Sequence, residues 1–418
     1  MSLTENLAAK LWLRQFTLPE APHALKMLEK FLFISGEEFS DNLSHLALSS
    51  FPAGNAVAFF VERELRTTRS GFPCKMYKET EIGMGRGLPK RLRADGAALP
   101  PVESPRNDQQ DIGSEGIVAS VLSQLCRQNR KKFVLHPSAN EIRKRRVDHF
   151  VIVTDFIGSG KRALRMLESL WRVRSIRSWH SGGLIKFSVL SYSGTAEGVK
   201  KIRKHQSNPN VRMVCKCPTL NNSFKGDELQ AITDICRNHS PDPSEPLGYK
   251  DTAALIAFEH SCPNNVPAIF HKSKDSRRNP WHPLFPSRVT THFARSQPKL
   301  TETQLDKTAL DVLKLPSIAT SKAFQRSTPE QCRVVVVLAA LSKGYRDLDE
   351  LVTVTGRRLW EISSAISKAQ DEKLVDHNGR PTQQGFALLK RLNRVKRPAE
   401  IAEKSKKYYY PTSLRAPI

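Results

Sequence analysis

His149-Phe150-Val151-Ile152-Val153-Thr154-Asp155-Phe156-Ile157-Gly158-Ser159-Gly160-Lys161-Arg162-Ala163 passes from apolar to polar and back within a short span. Residues 150–153 are apolar and largely β-branched, the composition of a buried strand, and Asp155 follows at its carboxyl end. Gly158-Ser159-Gly160 then makes a tight turn, and from Ala163 to Trp171 apolar residues recur with a period of about 3.6. Strand, loop and helix are therefore contiguous. A helix start offers unpaired N–H groups and partial positive charge, and glycines before it let the backbone close around a phosphate. An acid at the strand's end can accept the hydroxyls of a ribose attached to that phosphate. The same pattern also serves an ordinary strand–loop–helix turn, so a sugar-phosphate site is an expectation to be tested in three dimensions.

The stretch resembles the ribose-phosphate loop of the type I phosphoribosyltransferases, in which a strand ends in two acids, two apolar residues, a third acid and Thr-Gly. Here the second acid is Asp155, the apolar pair is Phe156 and Ile157, and Ser159-Gly160 replaces Thr-Gly. Thr154 stands where the first acid belongs, and Gly158 where the third does. The resemblance implies that residues Thr154, Asp155, Phe156, Ile157, Gly158, Ser159, Gly160 and Lys161 bind a ribose phosphate. It also implies that Asp155 is the catalytic group, with Mg2+ accompanying a phosphoribosyl or nucleotide ligand.

Further along, 185–192 reads as the next strand, followed by Ser193-Gly194-Thr195 and a helix over 199–204, and 211–215 as another strand. With 56–61 and 133–135 before them, strands alternate with helices as in a parallel α/β sheet. Ligands in such sheets bind beyond the strands' carboxyl ends, where Asp155 to Gly160 and Ser193 to Thr195 would both lie. Amphipathic helices are expected at 4–15 and 22–34, and another at 114–127 with Ser114 as N-cap. Gly83-Met84-Gly85-Arg86-Gly87, with Lys90 and Arg91 beyond, reads first as a mobile loop, with closure over a phosphate as the alternative. Residues 216–290 read as an irregular insertion containing a strand at 253–258. The polar segment Glu259-His260-Ser261-Cys262-Pro263-Asn264-Asn265 follows, either a rim of the ligand site or a plain turn.

The 418 residues allow two or three domains. A net charge of +25 favours a polyanionic partner, nucleic acid above all. No apolar run of about 18 residues and no basic-then-apolar leader is visible, so no membrane association is expected. Seven scattered cysteines fit a reducing cytoplasm better than a disulfide framework. Cys215, Cys217, Cys236 and His239 have zinc-ligand chemistry, but the spacing is unusual; no zinc or other metal site is expected.

Beyond a polar linker at 291–325, residues 326–395 give three short helices, a strand–turn–strand at 374–382 and a closing helix. This order resembles the winged helix-turn-helix domains. The resemblance implies that the third helix, 357–371, faces DNA with Arg357, Arg358 and Lys368, while His377 and Arg380 ride on the wing. Docking to protein is the other use of such domains. A basic tail at 396–418 with Tyr408-Tyr409-Tyr410 completes the chain. The sequence thus implies a phosphoribosyltransferase-like α/β domain with N-terminal helices over 1–290, joined to a C-terminal winged helix. This pairing looks like the effectors of bacterial retron antiphage systems. The resemblance implies a toxic ribosyltransferase-like effector held inactive by a reverse transcriptase and its DNA or RNA–DNA hybrid. A nucleotide-sensing transcription regulator with an inactive fold is the alternative. Oligomeric state, substrate and acceptor are not readable.

Overall fold

The computed structural model describes residues 3–51, 54, 56–83, 90–100, 113–275, 280–290 and 302–393. In these residues the chain forms two compact units, within Met1–Thr301 plus Arg346–Ser364 and within Glu302–Tyr345 plus Ala365–Ile418. The 83–87 loop, apart from Gly83, and the basic tail lie outside the described residues.

In the first unit, helices α1 (Leu7–Leu13) and α2 (Ala21–Glu29) lead to strand β1 (Leu32–Ile34) and helix α3 (Gly36–Ser50). Strand β2 (Val57–Val61), the antiparallel pair β3 (Lys78–Ile82) and β4 (Arg91–Asp95), helix α4 (Ser114–Gln128), strand β5 (Phe133–Leu135) and helix α5 (Ala139–Arg145) come next. Strand β6 (His149–Ile157) feeds helices α6 (Lys161–Trp171) and α7 (Arg174–Ser181). Strand β7 (Lys186–Gly194), helix α8 (Ala196–Arg203) and strand β8 (Asn210–Lys216) follow. Helices α9 (Leu220–Ser223) and α10 (Gly226–Asn238) and strand β9 (Ile256–Phe258) close the unit's main run.

β5-β2-β6-β7-β8 form a five-stranded, all-parallel sheet. β6 is buried at every position after His149, because helices cover both faces and leave no wet side. Ala58, Phe60, Phe150, Ile152, Phe187 and Val189 meet Ala163, Met166, Leu167 and Leu170 of α6 and Val199 and Ile202 of α8 in one core. α3 and α4 lie against the sheet as well. The order places a topological switch between β2 and β6: the chain leaves β2 toward β5 but leaves β6 toward β7. A crevice opens beyond the carboxyl ends of two such strands.

Several expectations needed correction. The helix expected over 22–34 stops at Glu29, because 32–34 pairs in parallel with β9 instead. α3 was not foreseen, although Ser35 Oγ accepts Glu38 N–H at 3.2 Å and the Ser-x-x-Glu signal was there. Gly113, not Ser114, is the N-cap of α4. The supposedly irregular insertion contains α10, whose Cys236 Sγ lies 3.9 Å from Met27 Sδ of α2.

In the second unit, helices α11 (Glu302–Val312), α12 (Pro316–Thr320) and α13 (Lys322–Gln325) occupy the stretch expected to be linker. Ala309, Leu310, Leu313, Ile318 and Phe324 are buried there, sparse in sequence yet sufficient for a small core. α14 (Pro329–Ser342) starts at a capping box between Thr328 and Gln331. α15 (Leu348–Thr355) belongs to the first unit, and the division between units falls within α16 (Leu359–Asp371). Val375 and Pro381 bridge antiparallel around a turn before α17 (Gln383–Leu392), which completes the winged-helix order.

Candidate functional site

The loop after β6 is fixed from below. Thr195 Oγ1, the N-cap of α8, accepts Gly198 N–H at 3.0 Å and donates to the Gly158 carbonyl at 2.7 Å. Gly160 caps α6 with φ +74° and no side-chain hydrogen bond, a conformation that suits glycine. A Cβ on Gly160 would meet the Gly198 carbonyl at 2.8 Å, so loop and α8 touch backbone to backbone. The start of α6 remains open toward a cleft of about 380 Å3 lined by residues 62–65, 155–162, Arg165, Tyr249 and 263–265, among others.

Two carboxylates enter this cleft from the two strands at the switch point. Asp155 comes from β6 and Glu62 from the residue after β2, whose N–H donates to Val153 O at 2.8 Å. Thr154 Oγ1 lies between them, 2.9 Å from Glu62 Oε2 and 3.2 Å from Asp155 Oδ1. Asp155 Oδ1 also accepts Phe156 N–H at 2.8 Å, and His260 Nε2 lies 3.3 Å from Oδ2. Arg162 Nε stands 3.3 Å from Glu62 Oε2. Burial alone would push the Asp155 carboxyl up, but His260, Arg162 and the Phe156 amide together hold it below the usual range. Burial does win at Glu62, raising it to about 7 against the pull of Arg162 and Thr154. The neighbouring Asp155 charge adds to that rise.

Cations surround the acids. Arg63, Lys161, Arg162, Arg165 and Arg288 all line the cleft. Arg63 is buried, donates from Nη2 to the Leu99 carbonyl, and keeps its Nε without a hydrogen-bond partner. Such an arrangement suits a ligand carrying phosphate at one end and hydroxyls at the other.

Of the residues expected at the ribose phosphate, Asp155 to Lys161 line the cleft, whereas Thr154 is buried behind them. Position 158 carries no acid, and Asn265 fills its space. A Cβ there would stand 2.2 Å from Asn265 Oδ1, while Asn265 Nδ2 donates to Thr252 Oγ1 at 3.0 Å. Ser261, Pro263, Asn264 and Asn265 of the polar segment 259–265 thus line the cleft, while His260 stacks on Phe258 at 5.1 Å. Glu62 and Arg63 were missed; the signal was Glu62-Arg63-Glu64 directly after an apolar strand.

The expected nucleic-acid residues part company. Arg357, whose side chain is 2% exposed, lies 3.4 Å from Glu361. Arg358 pairs with Glu37 at 2.9 Å and Asp41 at 2.5 Å of α3, where Asn42 Oδ1 accepts the Leu359 N–H at 2.5 Å. Lys368 pairs with Glu330 at 2.7 Å. His377 and Arg380 are exposed on the turn. Of the residues with zinc-ligand chemistry, His239 Nε2 lies 2.9 Å from Glu20 instead, and among the described residues no group of three or more His, Cys, Asp or Glu side chains is placed to hold a metal ion. No described helix is long and apolar enough to cross a membrane.

A parallel sheet, a glycine loop opening α6 at the switch point and an acid beside that loop define a phosphoribosyltransferase-like domain, followed by a winged helix. The chain belongs to the PRTase-CE family, whose model matches residues 9–287. A second family model, wHTH-PRTase associated, matches residues 335–416. No curated protein and no solved structure matches the chain.

Proposed function

We propose that the PRTase-CE domain binds a ribose phosphate or nucleotide and that the winged helix and basic tail bind nucleic acid. In this reading the chain is a ribosyltransferase-like, DNA-binding toxic effector of a bacterial retron antiviral system, held inactive by its reverse transcriptase–nucleic acid complex. The observation that carries the ligand reading is the shared cleft. Glu62 and Asp155 line it, and the start of α6, whose N-cap Gly160 offers no side-chain hydrogen bond, opens into it among five cationic side chains. The acids would hold ribose hydroxyls and the α6 amides the phosphate; Lys161 and Arg162 supply positive charge to a departing anion at the anomeric carbon. The oxygen donors of Glu62 and Asp155 suit Mg2+, which takes one or two carboxylates and fills its shell with phosphate oxygens and water. Bound there with the ligand, the ion would neutralise phosphate charge.

Asn265 in the place of the third acid favours a second reading, nucleotide sensing without turnover, because an amide cannot accept the proton a general base must take. Thermal unfolding of the full chain with 5-phosphoribosyl 1-pyrophosphate, ribose 5-phosphate or AMP, with and without Mg2+, tests binding. At a ligand concentration of 100 Kd the stabilisation expected is about 2.7 kcal/mol, and Asp155→Asn should remove most of it. No shift with any of the three overturns the ligand reading. Nucleotide-pool mass spectrometry after expression then separates the two uses: depletion by the wild type but not by Asp155→Asn means an enzyme. Unchanged pools with intact binding mean a sensor. Copurification with a reverse transcriptase encoded beside it checks the retron assignment, and its failure there removes that assignment alone.

A further inference from the structure

We infer that Glu62 takes over the role of the acid that β6 lacks at Thr154, so that the ribose hydroxyls are held by a pair of carboxylates drawn from two strands. This inference rests on the ribose-phosphate reading of the cleft. Parallel pairing sets Val61 level with Val153, which brings Glu62 level with Thr154. Thr154 is 2% exposed and turns its hydroxyl to Glu62, so it presents nothing to a ligand itself. Glu62 does line the cleft, with its side chain 4% exposed and its carboxylate 3.3 Å from Arg162 Nε. Keeping a carboxylate that deep is costly unless it has further donors to accept. Thr154 and Arg162 supply donors on the protein side; the hydroxyls of a sugar would supply donors on the cleft side. An acid moved from β6 to the end of β2 stays at the switch point, because both strands end at the same crevice.

Arg162 gives Glu62 an alternative purpose, that of pinning the first turn of α6, and the test must tell the two apart. Titration calorimetry on the full chain without Mg2+ compares ribose 5-phosphate with tetrahydrofurfuryl phosphate, which has the same ring and phosphate but no ring hydroxyls. The ratio of the two affinities cancels the phosphate's own ionisation. In the wild type we expect a preference for the ribose of about tenfold or more at pH 8, the worth of one charge-assisted hydrogen bond. Glu62→Gln should reduce the preference severalfold, while tetrahydrofurfuryl phosphate binds as before. If both phosphates weaken equally, or the preference persists, Glu62 is only a brace for α6 and the inference is overturned. Should Glu62→Gln fail to fold, Glu62→Asp decides: the shorter side chain must lower the preference for the ribose while tetrahydrofurfuryl phosphate binds as before, and an unchanged preference overturns the assignment. If neither phosphate binds the wild type, it is the ribose-phosphate reading that has failed.

Discussion

Gly158 and Asn265 are two halves of one decision. A Cβ at position 158 would lie 2.2 Å from Asn265 Oδ1 and 2.4 Å from its Cγ, and Asn265 is tied down through Nδ2 to Thr252 Oγ1 and the Tyr249 carbonyl. Gly158→Ala should therefore destabilise the first unit by about 1–3 kcal/mol through overpacking. Truncating Asn265 to Ala in the same chain should return part of that loss, with a coupling energy of about 0.5–3 kcal/mol in a double-mutant cycle. Urea unfolding of the four proteins measures it; strict additivity would show that the two positions do not compete for one volume. The absence of the third acid was readable from the sequence at Gly158. Its replacement was not, since more than a hundred residues separate Gly158 from Asn265 and no periodicity links them.

At the scale of elements, the glycine loop after β6 owes its shape to α8. Thr195 both caps that helix and holds the Gly158 carbonyl, and a Cβ on Gly198 would meet the same carbonyl oxygen at 2.2 Å. Thr195→Val keeps the shape of the side chain but removes both hydrogen bonds, at a cost of about 1–2 kcal/mol. The loop would then lose its anchor, and ribose 5-phosphate should bind several times more weakly. Thr195→Ser should retain both stability and binding, as read by thermal unfolding and calorimetry; a Ser variant as impaired as Val would put the effect in the methyl group. Strands β2 and β6 were legible because burial on both faces writes continuous apolar runs, and β7 and β8 from shorter apolar stretches broken by Ser or Arg. β3 and β4 were not, because Lys78–Ile82 and Arg91–Asp95 are rich in charge and carry no continuous apolar run; they pair with each other, and Ala94 N–H donates to Ser175 Oγ of α7 at 3.0 Å.

For the whole molecule, the +25 charge sets the kind of partner, whereas the fold decides which cations are free to meet it. Arg358 sits on Glu37 and Asp41, while Arg380 is exposed at the turn. If duplex DNA binds, anisotropy titrations across a salt series should show affinity falling as salt rises, and Arg380→Ala should flatten that slope by about one unit. Arg358→Ala should leave the slope as it is in the wild type, since its charge is already compensated within the chain. A flatter slope for Arg358→Ala would mean that nucleic acid displaces Glu37 and Asp41.

The sequence by itself determined the α/β alternation, the strand–glycine loop–helix with Asp155 at its edge, the winged-helix order and the electrostatic character. Each of these is written in neighbouring residues, as a period, a glycine turn or a net count. Only the tertiary structure decided that Glu62 and His260 join Asp155, that Asn265 takes the place of an acid at 158, and that Arg357 and Arg358 face carboxylates. Those outcomes depend on which strands lie side by side and which loops cross the sheet's rim. Pairing and crossing bring distant residues within 3 Å or so by packing, and packing leaves no local signature in the chain.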